Sequence, residues 1–208
     1  TRKESSAASD VYKRQAKREQ VKMIEIKLSQ GAKPGHGGML LAPKVTQEIA
    51  KTRGIAMHQD CISPAKHSEF SNPDELLRFV DKLRKLSGGK PVGIKLCVGH
   101  PWEIISIIKT MTTTKKYVDF ITVDGAEGGT GAAPAEFTDH IGCPLKDAIV
   151  FVDNALVGAN LRDRVKIGAS GKVVSAFDIA HMCALGADWV NMARPFMFSI
   201  GCIQCRSC

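Results

Sequence analysis

The chain reads as an α/β protein, a (β/α)8 TIM barrel that is incomplete, with its first strands and its C-terminal end missing. Three observations lead there. Short apolar strands alternate with helix-like segments, the pattern of a parallel sheet covered on both faces. Glycine-rich loops repeatedly follow the strand ends, where barrels of this kind place their sites. The chain has 208 residues and about six strands, short of the ~250 residues usual for a whole barrel. A doubly wound sheet is the alternative, but no Gly-x-Gly-x-x-Gly follows a first strand.

The elements follow in order. Residues 1–20 lack apolar periodicity and read as a disordered or foreign N-terminal tail, which leaves 21–208 as one partial barrel domain. Residues 23–28 alternate as a strand does, and 29–41 form a Gly/Pro-rich loop. Residues 46–53 read as a short helix. A second helix starts at Ser71-Asn72-Pro73-Asp74-Glu75, with Pro and acids in its first turn, and stops at Gly88-Gly89. Residues 91–98 are an apolar strand, 101–111 a helix, 117–124 a strand and 125–134 a second glycine loop. Residues 145–158 mix helix and strand signals. A strand at 165–169, the turn Ser170-Gly171-Lys172, a helix at 180–188 and a strand from Trp189 complete the series.

Composition narrows the function. Hydrophobic residues are 44% and charged residues 24%, ordinary for a globular protein. No apolar run reaches the roughly 18 residues a membrane span needs, and the polar N-terminus lacks a signal-peptide core. The net charge of +8 is spread thinly, without a basic run or aromatic interleaving, so nucleic acid is not an expected partner. The surface suits an anionic substrate or an acidic electron donor. Seven cysteines, an odd number, stand mostly isolated, which argues against a disulfide framework and for a reducing, cytoplasmic setting.

Several residues carry candidate chemistry. Ser170, Gly171 and Lys172, with Ala193 and Arg194 after the last strand, can hold a phosphate through backbone N–H groups and charge. An ordinary turn with a surface Arg fits the same pattern. Lys95 lies in an apolar strand, where its charge needs an anionic partner unless the side chain snorkels outward. Gly128, Gly129, Thr130 and Gly131 can offer amides to an anionic or carbonyl ligand. Gln30 and Lys33, with His36, sit in the first glycine loop and are candidates for a lid or a substrate contact, a pattern that an ordinary solvated loop also fits, while Asp124 flanks the second loop as a cap. Cys202, Cys205 and Cys208 crowd the C-terminus, and thiolates suit iron–sulfur clusters. The histidines show no close zinc spacing.

From about Met23 to Cys208 the sequence resembles the FMN-binding domain of glutamate synthases, and most of all the shorter stand-alone members of that family. The matching stretches are EIKLSQGAKPGHGG at 25–38, GIKL at 93–96, DGAEGGTGAAP at 124–134, GANLRDR at 158–164 and GCIQ at 201–204. The resemblance implies a barrel carrying FMN and a [3Fe-4S] cluster. Cys202 and Cys208 match the first two cysteines of the family's cluster motif, and the third lies beyond residue 208. The family's phosphate loop reads Asp-Gly-Gly where this chain has Ser170-Gly171-Lys172. Lys95 matches the family's strand lysine near the flavin, where it acts in catalysis. The implied chemistry is reductive amination: ammonia and 2-oxoglutarate form 2-iminoglutarate, which takes hydride from reduced FMN. The implied partners are ammonia, free or glutamine-derived, and an electron donor such as ferredoxin or an NAD(P)H-oxidising subunit. Another FMN barrel oxidoreductase, or a non-catalytic electron-transfer module, is the alternative.

Overall fold

A computed structural model describes residues 15–62, 64–129 and 133–203. The elements in chain order are β1 (Ile24–Lys27), β2 (Met39–Leu40), a 3-10 turn (Ala42–Lys44), α1 (Gln47–Arg53), β3 (Cys61–Ile62), α2 (Pro73–Leu86) and β4 (Val92–Leu96). They continue with α3 (Pro101–Thr114), β5 (Phe120–Asp124), α4 (Leu145–Gly158), β6 (Lys166–Ser170), α5 (Ala176–Ala184), β7 (Trp189–Asn191) and α6 (Arg194–Ser199). Strands β2 and β3 make a small antiparallel ribbon. The other five form one parallel sheet in the order β1-β4-β5-β6-β7. That order never reverses. A doubly wound sheet reverses at its switch point, so the sheet is an arc of an incomplete (β/α)8 barrel.

Local chemistry sets the helix ends. At α2 the Asn72 side chain accepts from the Glu75 backbone N–H at 2.9 Å, and Pro73 fills the first position, where no donor is missed. Gly88 at φ 78° and Gly89 at φ 91° then reverse the chain. The ambiguous stretch 145–158 is one helix. Leu145, Ala148, Ile149, Val152 and Leu156 are buried along one face, a 3.6-residue period under β-branched composition. Helix α5 begins four residues before the expected 180 and ends at Ala184. Ser175 and Asp178 make a reciprocal capping box, with Asp178 N–H donating to Ser175 Oγ at 3.1 Å and Ser175 N–H to Asp178 Oδ2 at 2.9 Å. Residues 185–188 are the turn that feeds β7.

The two faces of the sheet have opposite characters. Ile26, Ile94, Ile121, Val123, Ile167 and Ala169 point outward into the helix layer and are buried there with Leu77, Val80, Met111 and Ile149. Each such aliphatic side chain removes enough area from water to stabilise the fold by about 1.5–3 kcal/mol. The alternate positions face inward. At the lower end of the sheet a pattern occurs twice. Asp119 Oδ2 accepts from Val92 N–H at 2.7 Å, and Asp188 Oδ2 accepts from Ile167 N–H at 2.7 Å. Arg84 binds Asp119 at 2.9 Å and Arg162 binds Asp188 at 2.9 Å. The next residue of β4 is Gly93, where a Cβ would meet the Phe120 ring at 2.4 Å; the next of β6 is Gly168, where it would meet Trp189 at 2.5 Å. Phe120 and Trp189 then meet edge to face at 5.5 Å. Two aromatic rings, each seated over a glycine of the preceding strand, close this end of the sheet.

Residues just before β1 lie against the sheet's lower edge. Ala16 is buried, and Lys90 Nζ donates to the Ala16 and Arg18 carbonyls at 2.7 and 2.6 Å.

Candidate active site

At the upper end of the inner face the side chains become polar. Strands β1 and β4 run in register with Ile26 opposite Ile94 and Lys27 opposite Lys95. Thr122 of β5, fully buried, donates from Oγ1 to Glu25 Oε2 at 2.6 Å. Lys95 Nζ stands 3.5 Å from Asp124 Oδ2, and the Asp124 side chain is only 3% exposed. A carboxylate that deep needs compensation. Compensation comes from the Lys95 ammonium, from the Gly31 backbone N–H, which donates to Oδ2 at 2.9 Å, and from the charge of nearby Lys27. Lys95 therefore does not snorkel away from the rim.

Asp124 also sets the paths of both glycine loops. Gly31 N–H is bound to its carboxylate, Ala32 N–H donates to Gly128 O at 2.7 Å, and Gln30 Nε2 donates to Gly129 O at 2.9 Å. Glycine is required at position 31, because a Cβ there would lie 1.6 Å from Gly125 O. Gln30 Oε1 in turn accepts from Lys27 Nζ at 3.0 Å. Lys33 is buried, with its N–H on Gln30 O at 3.2 Å. Burial, followed by the neighbouring Lys95 and Lys33 charges, pushes Lys27 below the ordinary lysine pKa of 10.5. Glu127 leaves the rim to accept from Leu145 N–H, at 3.2 and 3.1 Å to its two oxygens, and so pins the second loop to the start of α4.

The ends of β6 and β7 lie on the same rim. Ser170 is level with Asn191, so 171–172 and 193–194 leave the sheet side by side. Gly125 N–H donates to Ser170 O at 2.8 Å. Gly171 has φ 138°, and a Cβ on it would stand 3.3 Å from Gly125 N, so only glycine lets the backbone lie this close. Lys172 pairs with Asp139, Nζ to Oδ2 at 3.1 Å. Ala193 precedes α6 and accepts from Met197 N–H at 3.0 Å, and Arg194 is the first residue of that helix. Half-buried Cys202 follows α6, its N–H on Met197 O at 3.0 Å. Thr130, Gly131, Cys205 and Cys208 lie outside the described residues. Among the described residues no group of three or more His, Cys, Asp or Glu is placed to hold a metal.

The structure thus joins Gln30 to Gly129, Lys95 to Asp124, and Lys172 to Asp139 beyond the second loop, and it sets Gly171 against Gly125. Two participants are not singled out by sequence, and a third has a larger role than its local pattern predicts. Asp124 does more than cap one loop: it is the hub of two. Lys27 had a usable signal: the tripeptide Ile-Lys-Leu occurs at 26–28 and again at 94–96, and both copies fall in one register. Asp139 had none, since its partner Lys172 is 33 residues away.

These features define a class: a barrel whose C-terminal rim presents paired lysines, a buried carboxylate and a tight backbone approach of Gly171 to Gly125. The family model for the conserved region in glutamate synthase matches residues 13–208, and the chain belongs to that family. It is 46% identical over 197 residues to "Glutamate synthase large subunit-like protein YerD" of Bacillus subtilis (strain 168), covering 95% of this chain and 37% of that protein. It is 41% identical over 187 residues to "Archaeal glutamate synthase [NADPH]" of Methanocaldococcus jannaschii, covering 89% of this chain and 36% of that protein. The chain therefore spans little more than a third of the length of these relatives. A double mutant of flavocytochrome b2 with sulfite bound shares the fold at TM-score 0.55 and 17% identity, covering 93% of this chain and 40% of that one. No helix among the described residues is long and apolar enough to cross a membrane.

Proposed function

We propose that this protein is an FMN-dependent oxidoreductase of the glutamate synthase type, and that its substrate is the imine formed from 2-oxoglutarate and ammonia. The observation that carries the proposal is the in-register pair Lys27 and Lys95 beside buried Asp124, on the same rim as Gly171. The residues fit a flavin mononucleotide. The Lys95 ammonium suits its electron-rich pyrimidine edge, and the bare backbone at Gly171, with Lys172 next to it in sequence and Arg194 following β7, suits its phosphate. Bound FMN would supply the hydride chemistry.

The chain's own residues bind and orient. Lys95 holds positive charge where negative charge would grow, kept in place by Asp124. Lys27 stands one strand away and suits a substrate carboxylate, with Gln30 and Lys33 on the loop that covers it. The hydrogen bonds from Gly31, Ala32 and Gln30 to the second loop hold that cover down and help exclude water. A [3Fe-4S] cluster is part of the proposal, with Cys202 and Cys208 as thiolates. Names among the relatives favour a reduced-nicotinamide donor, and a ferredoxin serves the same role. Nitrogen would arrive as ammonia, free or released from glutamine. A cytoplasmic setting suits the free thiols.

The test is made on the protein at its full natural length, purified without air. Bound flavin, reduced and then reoxidised by 2-oxoglutarate plus ammonia with glutamate as product, is the expected result. Bound FMN without reoxidation would leave a flavin barrel acting on another substrate. A folded protein that takes up no FMN would overturn the proposal.

A further inference from the structure

The inward polar side chains of the sheet fall into two groups. Those of β1, β4 and β5 are committed within the protein: Thr122 donates to Glu25 at 2.6 Å, Lys95 stands 3.5 Å from Asp124, and Lys27 donates to Gln30 at 3.0 Å. Those at the ends of β6 and β7 are not. Ser170 lies in register with Asp124 on one side and with Asn191 on the other. Side chains two apart on a strand share a face. Gly168 and the Trp189 ring seated over it face the interior, so Ser170 and Asn191 do as well. Ser170 is half-buried and Asn191 exposed. Among the described residues, neither the Ser170 hydroxyl nor the Asn191 carboxamide has a hydrogen-bond partner in the protein.

These two side chains lie just below the backbone assigned to a phosphate. Gly171 follows Ser170, and Ala193 comes two residues after Asn191. A strand rises about 3.3 Å per residue, so a chain that leaves a phosphate at Gly171 and runs down the inner face meets both side chains within a few atoms. Below them the face is apolar, since the Trp189 ring covers Gly168 and meets Phe120 at 5.5 Å. The pair itself is neutral. A hydroxyl and a carboxamide each donate and accept, which matches a run of hydroxyl groups. A second anion at this level would need a cation beside it. The inward ammonium groups, Lys27 and Lys95, stand on β1 and β4, with β5 between them and β6.

We propose that Ser170 and Asn191 form a polyol subsite: they bind the hydroxyl groups of the sugar-alcohol chain that joins phosphate to ring in flavin mononucleotide, and Asn191 selects a hydroxylated chain over a bare one. The inference rests on the flavin reading above and adds to it a residue, Asn191, that the phosphate assignment does not use.

The experiment is a set of binding titrations, read by flavin fluorescence, on the full-length protein and its Asn191→Leu, Asn191→Ser and Ser170→Ala forms. Three probes are used: flavin mononucleotide, riboflavin, which keeps the polyol without the phosphate, and lumiflavin, which keeps the ring alone. Asn191→Leu is expected to weaken flavin mononucleotide and riboflavin by the same factor, about two- to tenfold, the range of one neutral hydrogen bond. Lumiflavin should bind it as it binds the unaltered protein. Ser170→Ala should repeat the pattern, and Asn191→Ser should recover part of the loss. Unchanged affinity of Asn191→Leu for flavin mononucleotide and riboflavin would overturn the proposal and leave the flavin reading standing. An equal loss for lumiflavin would also overturn it, because the ring pocket would then be disturbed. An unaltered protein that binds none of the three would overturn the flavin reading and the polyol subsite together.

Discussion

At the residue scale, the site is governed by what each charge sits beside. Lys27 has a lowered pKa because it is partly desolvated and faces Lys95 and Lys33. Between that lowered value and the ordinary 10.5, the unfolded chain holds a proton that the folded chain has shed. The contribution of this lysine therefore makes stability rise with pH across that window. Urea unfolding of the protein and of Lys27→Met at a series of pH values from 8 upward should show it as a difference, the unaltered protein gaining stability relative to the variant as pH rises. Cys97 behaves in the opposite sense. Burial, with Asp124 nearby, pushes its thiol up to about 12, and the side chain is almost wholly enclosed. A thiol reacts as its thiolate. Alkylation at pH 8 should thus label exposed Cys183 and spare Cys97 until the protein unfolds, as peptide mass spectrometry would report. Labelling of both at equal rates would contradict the burial. Sequence exposed these residue types, but Cys97 read as one isolated cysteine among several, because nothing local shows that Asp124 stands across from it.

At the element scale, boundaries come from caps and glycines. The Ser175–Asp178 box starts α5, and Ser175→Ala should cost about 1 kcal/mol in thermal or urea unfolding. The Ser175 N–H, then the Ser175 hydroxyl and the Val174 N–H, donate to the Asp178 carboxylate and hold it below its usual range. The seats under Phe120 and Trp189 are stricter. Gly168→Ala would set a methyl 2.5 Å from the Trp189 ring, and overpacking of this kind costs about 1–3 kcal/mol. Gly93→Ala should behave alike against Phe120, and the two losses should be coupled because the rings touch. Additive losses in a double-mutant cycle would contradict the shared aromatic layer. The glycines at 88–89 were readable as a helix stop. Those at 93 and 168 were not readable as ring seats, since a glycine in a strand does not say which neighbour fills its space.

At the scale of the whole molecule, the described sheet is open. Strands β1 and β7 are its two edges and are not paired with each other. An open cleft of about 390 Å³ runs beside β1, lined by Met23, Ile24, Phe79 and Leu83. Near the other edge Phe196 is 66% and Ile200 64% exposed. Unpaired strand edges beside apolar surface promote association. The 208-residue chain should elute as oligomers in size-exclusion chromatography with light scattering. A monodisperse monomer from the chain alone would count against this account.

The order of strands and helices was legible along the chain, because apolar periodicity, proline at helix starts and glycine at helix stops are local properties. The motifs of the two glycine loops were legible for the same reason, as was the placement of Lys95 on a strand that ends at the rim. The helical nature of 145–158 was settled only by packing, since five buried side chains on one face decide what a β-branched run leaves open. Asp124 as a hub, Lys27 beside Lys95, the ring seats and the Lys172–Asp139 pair were decided by tertiary structure alone. Each joins residues far apart in sequence, and a buried charge or a missing Cβ acquires its meaning from the atom that comes to lie across from it.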